Sequence, residues 1–267
     1  MGAITALGIV LLVLMIIVGG KQGITSFLSL VVNFGILFFT IVLIAFHLPP
    51  IIVTIVASVI LLSITIFWSS ASDNASTTAF QASVIVLILI VIIIIPIEYW
   101  VQVGGFGLED SEELEGLSTY VGIDFTKVAI ATAILSSLGA VAEAAIAIAS
   151  GLDEIILQHQ AIKSDQLFLD GTVIGKQIIG TAVNTLFFGF FGSSLALFIW
   201  FYGLNYSFGD ILNDKVFAAE LIAIVVSLIG VVTTIPVTTW LMSFKLKRLH
   251  KAQLKRWVVF DCQNEYS

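Results

Sequence analysis

Charged side chains are scarce in this chain. Asp, Glu, Lys and Arg make up 11% of the 267 residues, whereas 59% of the residues are hydrophobic. A soluble domain usually has about 25% charged residues, so a water-facing surface cannot be built from this composition. Most of the sequence consists of apolar runs near the ~20 residues that a bilayer requires. We therefore predict an all-α fold, a polytopic membrane helical bundle in the cell (plasma) membrane with the lipid bilayer as its main partner.

Basic residues, cysteine and histidine are also scarce, and the scarcity of each argues against a class of function. The net charge of −7 argues against nucleic-acid binding. A single cysteine, Cys262, allows neither an internal disulfide nor a cysteine metal cluster. The chain has no phosphate-binding loop and no H-E-x-x-H motif. His47, His159 and His250 lie outside the apolar runs, so the serines of GSSL at 192–195 lack the base that a nucleophile needs. We predict no enzyme activity, no metal and no cofactor.

About seven transmembrane helices are predicted from the apolar runs. They cover residues 3–20, 25–46, 51–68, 79–99, 126–150, about 176–204 and 217–243. These spans define an integral membrane domain at residues 1–243 and a basic cytoplasmic tail at 244–267. The acidic run EDSEELE at 109–115 is expected to be a solvated extracytoplasmic surface.

The distribution of Lys and Arg predicts the orientation. Six of the eleven basic residues lie in 244–256, which places the C-terminus in the cytoplasm by the positive-inside rule. With seven spans the N-terminus is then outside. Only Lys127 and Lys215 would remain on the outer side.

Span five carries a carboxyl group. Ser136 and Gly139 precede Glu143 by seven and four residues, so a helix places all three on one small, polar face. An acid near the centre of a span costs about 2.5–3.5 kcal/mol to insert. We therefore expect Glu143 to face the interior of the bundle.

Span six carries a polar ridge. Gln177, Thr181 and Asn184 follow at i, i+4 and i+7, and Gly180 beside them allows another backbone to approach. Lys176 is expected to extend its ammonium group to the inner interface. The ridge has two interpretations: it lines a transport pathway, or it holds helices together without transporting anything.

The last span contains Pro236, which removes a helical donor and predicts a break. With a rise of 1.5 Å per residue, Glu143 and Asn184 would lie about 12 Å from the inner ends of their spans, and Pro236 about 10 Å. All three features are thus expected in the cytoplasmic half of the bundle.

The stretches GKQIIGTAVNTLFFGFFGSSL, LGAVAEAAIAIAS and TTIP resemble the YibE/F-like family of bacterial multi-pass membrane proteins, over roughly residues 20–243. The resemblance implies a permease-type protein and the shorter of two paralogues, hence a heteromer with the longer one; a homo-oligomer is the alternative. The family pattern has Arg-Asp where this chain has Lys176-Gln177, and Asp where it has Glu143. Glu143 is therefore the main titratable candidate.

Two functions remain open. The first is a transporter-like subunit that moves a small solute or ion through a polar site made by Glu143, Gln177, Thr181 and Asn184. The second is a non-transporting scaffold or receptor subunit of a complex with a paralogue.

Overall fold

The protein is a bundle of long helices. The computed structural model describes residues 2–69, 72–103, 124–159 and 162–264, with side chains up to Arg248. Within these ranges there are eight helices and no strand: α1 (Gly2–Ala45), α2 (Pro50–Ser69), α3 (Asp73–Val101), α4 (Phe125–Gln158), α5 (Ser164–Ser193), α6 (Leu195–Gly203), α7 (Phe208–Asn213) and α8 (Lys215–Asn264). The acidic run 109–115 and the side chain of Cys262 lie outside the described residues.

Helix α1 bends sharply at Gly20. The backbone there has φ 53° and ψ −127°, a conformation that glycine adopts without steric cost. A Cβ added to Gly23 would lie 1.8 Å from the carbonyl oxygen of Met15, so the two arms of α1 touch across the bend. The predicted spans 3–20 and 25–46 correspond to these two arms. Six helices of the described chain are long and apolar enough to cross a bilayer, with α1 counted once; seven spans and the orientation stay predictions.

The main core lies between α2, α3, α4 and α8. Its fully buried side chains include Ile66, Ile90 and Ile134. Three of the helices meet at Gly230 of α8, where an added Cβ would lie 2.9 Å from Ile90 and 3.0 Å from Val141. The missing side chain of Gly230 allows this close approach, which dispersion contacts then stabilise.

Helix α5 runs antiparallel along α8. An added Cβ at Gly171 would meet Thr239 at 2.5 Å, and one at Gly175 would meet Ile235 at 2.2 Å. At the other end of α5 the rings of Phe190 and Phe217 lie 5.7 Å apart. The helix begins at Ser164, twelve residues before the predicted start of span six. The prediction missed these roughly three turns because Asp165, Gln166 and Asp170 give them the composition of a loop.

Helix α8 shows no break at Pro236. The chain is helical at every residue from Lys215 to Asn264, across the predicted domain boundary at 243. The hydroxyls of Thr233 and Thr234 donate to the carbonyl oxygens of Ile229 and Gly230, at 2.6 and 2.7 Å. These bonds satisfy the two hydroxyls within their own helix, and the helix continues through the proline, so the expected break is absent from this conformation.

The two ends of the bundle differ in charge. At one end, here called the basic end, Ser164 Oγ donates to the carbonyl oxygen of Ser243 at 3.1 Å, and Lys245 Nζ donates to Thr78 Oγ1 at 2.8 Å. The opposite end, here called the acidic end, carries Glu98, Asp124, Asp210, Asp214 and Glu220. The basic end carries Lys21, Lys163, Lys245, Lys247 and Arg248 beside five acids, Asp73, Asp153, Glu154, Asp165 and Asp170, whereas the acidic end has only Lys127 and Lys215 of the described basic residues beside its five acids.

Candidate functional site

The small, polar face predicted on span five exists on α4, but no other part of the described chain covers it. Ser136, Gly139 and Glu143 are all exposed. The neighbouring residues Ser137 and Ala144 are buried against the other helices. The expectation that Glu143 points into the interior of this bundle is therefore not met. Its carboxyl group lies on the outer surface of the single chain.

The ridge predicted on span six also faces outward from α5. Gln177, Gly180, Thr181 and Asn184 are exposed. The hydroxyl of Thr181 donates to the carbonyl oxygen of Ile178 at 3.0 Å, so it is satisfied within its own helix. The side-chain amides of Gln177 and Asn184 have no such local bond among the hydrogen bonds of the described residues.

The two polar faces lie on neighbouring helices, α4 and α5. An added Cβ at Gly151 of α4 would be 3.3 Å from Cδ1 of Ile174 on α5, so the two helices are in contact there. Glu143 lies eight residues back from Gly151, and Thr181 lies seven residues beyond Ile174, which is about 12 Å and 10 Å along the antiparallel helices. Thr181 shares the face of Ile174 that points toward α4. We call the outer surface that carries Glu143 on α4 and Gln177, Thr181 and Asn184 on α5 the α4–α5 groove.

The register of α5 against α8 corrects the expected depth of the ridge. Because Gly175 lies against Ile235 and Phe190 against Phe217, Asn184 lies level with about Val225 on α8. That height is nearer the acidic end than predicted from a helix starting at Lys176. The ridge therefore crosses the middle of the bundle instead of staying in the half next to the basic end.

Lys176 and Pro236 do not join the groove. Lys176 is exposed and lies twelve residues, about 18 Å, from the start of α5. It is therefore not in the first turns of that helix. Pro236 is exposed within an apolar stripe of α8 that includes Val232 and Trp240. It lies on a different side of α8 from Gly230, the residue that contacts α4.

Glu98 of α3 is the residue that the sequence analysis missed. Its side chain is 1% exposed, and Oε2 has no hydrogen-bond partner. The signal was an acid inside IIPIEYW, at the end of an apolar run. An acid at such a position is equally typical of a solvent-exposed helix end. The burial of Glu98 is therefore evident only from the packing of α4 and α8 around it.

Two cavities lie at the acidic end. One of about 540 Å³ lies between the α1–α2 turn and the start of α4. Its charged groups, Asp124 and Lys127, form an ion pair at 3.1 Å. The Lys127 hydrogen bond holds the pKa of the Asp124 carboxyl below its usual range.

A second cavity of about 310 Å³ contains Glu98 and Glu220. Within the described part of the chain, no group of three or more His, Cys, Asp or Glu could hold a metal.

These features define a multi-pass helical membrane protein with polar faces inside its apolar helices. The chain belongs to the YibE/F-like protein family, whose model matches residues 7–248. The resemblance identified from the sequence is thereby confirmed. Neither the curated proteins nor the solved structures contain a significant match to this chain.

Proposed function

We propose that this chain is a transporter-like subunit of a complex in the cell membrane and moves a small solute or ion. In this proposal a second membrane subunit, a paralogue or another copy of the chain, covers the α4–α5 groove. The covered groove is then the polar site, and Glu143 is its protonatable or cation-binding group.

The exposed carboxyl of Glu143 is the observation that carries the proposal. An acid that faces lipid near the centre of a helix costs several kcal/mol, and such residues usually face protein or a water-filled cavity. The single chain covers neither Glu143 nor the amides of Gln177 and Asn184. A second subunit over the groove would remove all of these polar groups from lipid at once.

The surroundings of Glu143 fit a pathway. Ser136 and Gly139 lie on the same face of α4 and leave space beside the carboxyl, since an added Cβ at Gly139 would have no atom within 4 Å. Thr181 lies at nearly the same height across the groove. In height along the bundle, the hydroxyl of Thr181 and the amide of Asn184 would therefore lie within one helix turn of a proton or cation at Glu143.

Proton flux tests the role of Glu143. The full-length chain, with any subunit that co-purifies with it, is reconstituted into liposomes that contain a pH-sensitive dye. We expect Glu143→Gln to reduce proton uptake at least about tenfold, because the amide cannot carry the proton. Glu143→Asp should retain uptake. Glu154→Gln, the same change on the same helix near the basic end, is the matched control and should have no effect.

A non-transporting scaffold or receptor subunit is the second candidate, because the same open face suits contact with a partner helix. It predicts that Asn184→Leu reduces co-purification of the partner while solute movement is unaffected. If the complex forms normally and flux is lost, the scaffold interpretation is excluded. Unchanged, pH-independent flux in Glu143→Gln would instead remove Glu143 from the mechanism.

A further inference from the structure

The cavity of about 310 Å³ at the acidic end lies where the last turn of α3 meets the first turns of α4 and α8. Three of its lining residues are polar: Glu98, Thr132 and Glu220. The other walls are apolar, and many of them are alanines. A largely apolar pocket with a few convergent polar groups is the usual form of a small-molecule site, and this volume is at the lower end of that range.

Glu98 has a buried acceptor without a partner. Its side chain is 1% exposed and lines the cavity, yet Oε2 accepts no hydrogen bond. The backbone of the same residue is satisfied, because its carbonyl oxygen accepts from the amide of Gln102 at 3.0 Å. A buried carboxylate that lacks a partner is strongly destabilising, so an ionised Glu98 requires a positive charge in the cavity.

The described part of the chain does not supply that charge. Lys127 pairs with Asp124, and the structure gives no ion pair to Glu98 or Glu220 among the described residues. Lys215, the other basic residue near this end, is exposed. The counter-charge of an ionised Glu98 would therefore come from a cation that binds in the cavity, whereas a protonated Glu98 needs none.

A metal ion does not suit this site. Hard cations such as Ca²⁺ take six to eight oxygen ligands at about 2.3–2.6 Å, whereas this cavity offers two carboxyls and one hydroxyl. The volume is about ten times the ~30 Å³ that one water molecule occupies in the liquid. The alanine, valine and phenylalanine walls fit carbon atoms.

We propose that the cavity formed by Glu98, Thr132 and Glu220 binds a small organic cation, an amine with a short hydrocarbon body. The ammonium group pairs with the buried Glu98, and Glu220 adds a second negative charge at the same cavity. Thr132 also lies on the α4 face of Ser136 and Gly139, at i−4 and i−7 from them. Binding here does not depend on transport, and a binding assay therefore tests it separately from the proposed function.

Binding of 1,4-diaminobutane and tetramethylammonium to the full-length chain in nanodiscs of neutral lipid, measured by calorimetry, tests the site. We expect saturable binding of at least one of the two amines, with no competition from Na⁺ or Ca²⁺. Glu98→Gln should weaken it at least about tenfold, because the change removes a desolvated charge partner. Glu220→Gln should weaken it less, because that side chain is exposed.

Two further variants keep the result interpretable. Ala219→Leu keeps both carboxyls but fills the cavity, so it should also abolish binding. Asp124→Asn removes an acid at the same end whose charge is already paired, and it should leave the affinity unchanged. Affinity retained within twofold in Glu98→Gln, or no saturable binding of either amine, would overturn the proposal. Binding of Ca²⁺ that disappears in Glu98→Gln would replace it with a metal site.

Discussion

Helix α4 has two faces built from the same kinds of residue but in opposite surroundings. One face, with Ala133, Ser137 and Ala144, is buried against the other helices. The other, with Ser136 and Glu143, is open. Small residues in a membrane helix permit the close approach of another backbone, whichever helix provides it. The first face therefore packs against other helices of this chain, whereas the second has no packing partner among the described residues.

Helix α5 repeats the contrast between a closed and an open face. Gly171 and Gly175 leave no room for a Cβ because α8 lies against them. Gly180 has no atom within 4 Å of the position where its Cβ would be. The open faces of α4 and α5 border the same groove, so one partner could close both.

The polar residues of the two regions differ in chemistry. Apart from Glu98, the closed interior holds mostly hydroxyls; those of Thr54, Ser58 and Ser83 are fully buried between helices and have no hydrogen-bond partner among the described residues. Ser76 and Ser227, also buried, donate back to carbonyl oxygens four residues earlier. The open face adds a carboxyl and two amides, which no backbone bond of this kind satisfies. Helix contacts alone explain the hydroxyls of the interior better than they explain Glu143.

The largest effect is expected from a leucine at Gly175. Its Cβ would lie 2.2 Å from Cγ2 and 3.2 Å from Cβ of Ile235, so α5 must move away from α8. Overpacking of this kind costs about 1–3 kcal/mol or more. Gly175→Leu should lower the melting temperature of the purified chain, followed by circular dichroism. Gly180→Leu, on the same helix, should leave it unchanged. Equal destabilisation by both variants would contradict the assignment of closed and open faces.

A second, smaller effect is expected from a matched pair on α4. Ala144 is 2% exposed, whereas Ala147 is exposed. Ala144→Leu should destabilise the isolated chain by about 1–3 kcal/mol through overpacking. Ala147→Leu should leave the stability of the isolated chain unchanged but reduce the recovery of a co-purifying subunit. If Ala147→Leu has no effect on either measurement, no partner covers this face.

The smallest effect concerns the start of α4, which carries both faces. Asp124 caps the helix by accepting from the amides of Thr126 and Lys127 at 3.1 and 3.4 Å. Asp124→Ala should cost about 1 kcal/mol, whereas Asp124→Asn should retain most of the cap. Because the folded pKa of Asp124 is lowered, its contribution is present above the unfolded value near 3.9 and is lost as the pH falls through the folded pKa.

Denaturation of the wild type and Asp124→Asn at several pH values between about 2 and 7 checks this sign. The difference in stability between the two proteins should shrink toward the acid end of the series. The change is small because the Asp124–Lys127 pair is half exposed to solvent. A difference that grows as the pH falls would contradict the assigned role of the ion pair.

Several features of the fold could be predicted from local sequence. The spans 51–68 and 217–243 lie within α2 and α8, because hydropathy summed over about 20 residues is a property of the segment itself. Other details depended on contacts between distant segments. The first turns of α5, from Ser164, pack along α8, where Ser164 Oγ donates to the carbonyl oxygen of Ser243 and Gly171 lies against Thr239.

For the candidate site, the sequence predicted only which residues lie together on one face of a helix. Helical periodicity correctly placed Glu143 with Ser136 and Gly139, and Gln177 with Thr181 and Asn184, all of them exposed together. The direction of each face was not predictable, since periodicity says nothing about the rotation of a helix about its axis. Glu98 went unnoticed for the same reason.

A helical membrane protein of the YibE/F-like family could be predicted from the linear chain, because apolar composition, helical period and the family pattern are all local properties of the sequence. Tertiary structure alone decided which polar groups are covered. Burial depends on the neighbours that other helices provide, and these leave Glu143 open to a partner while enclosing Glu98 in a cavity.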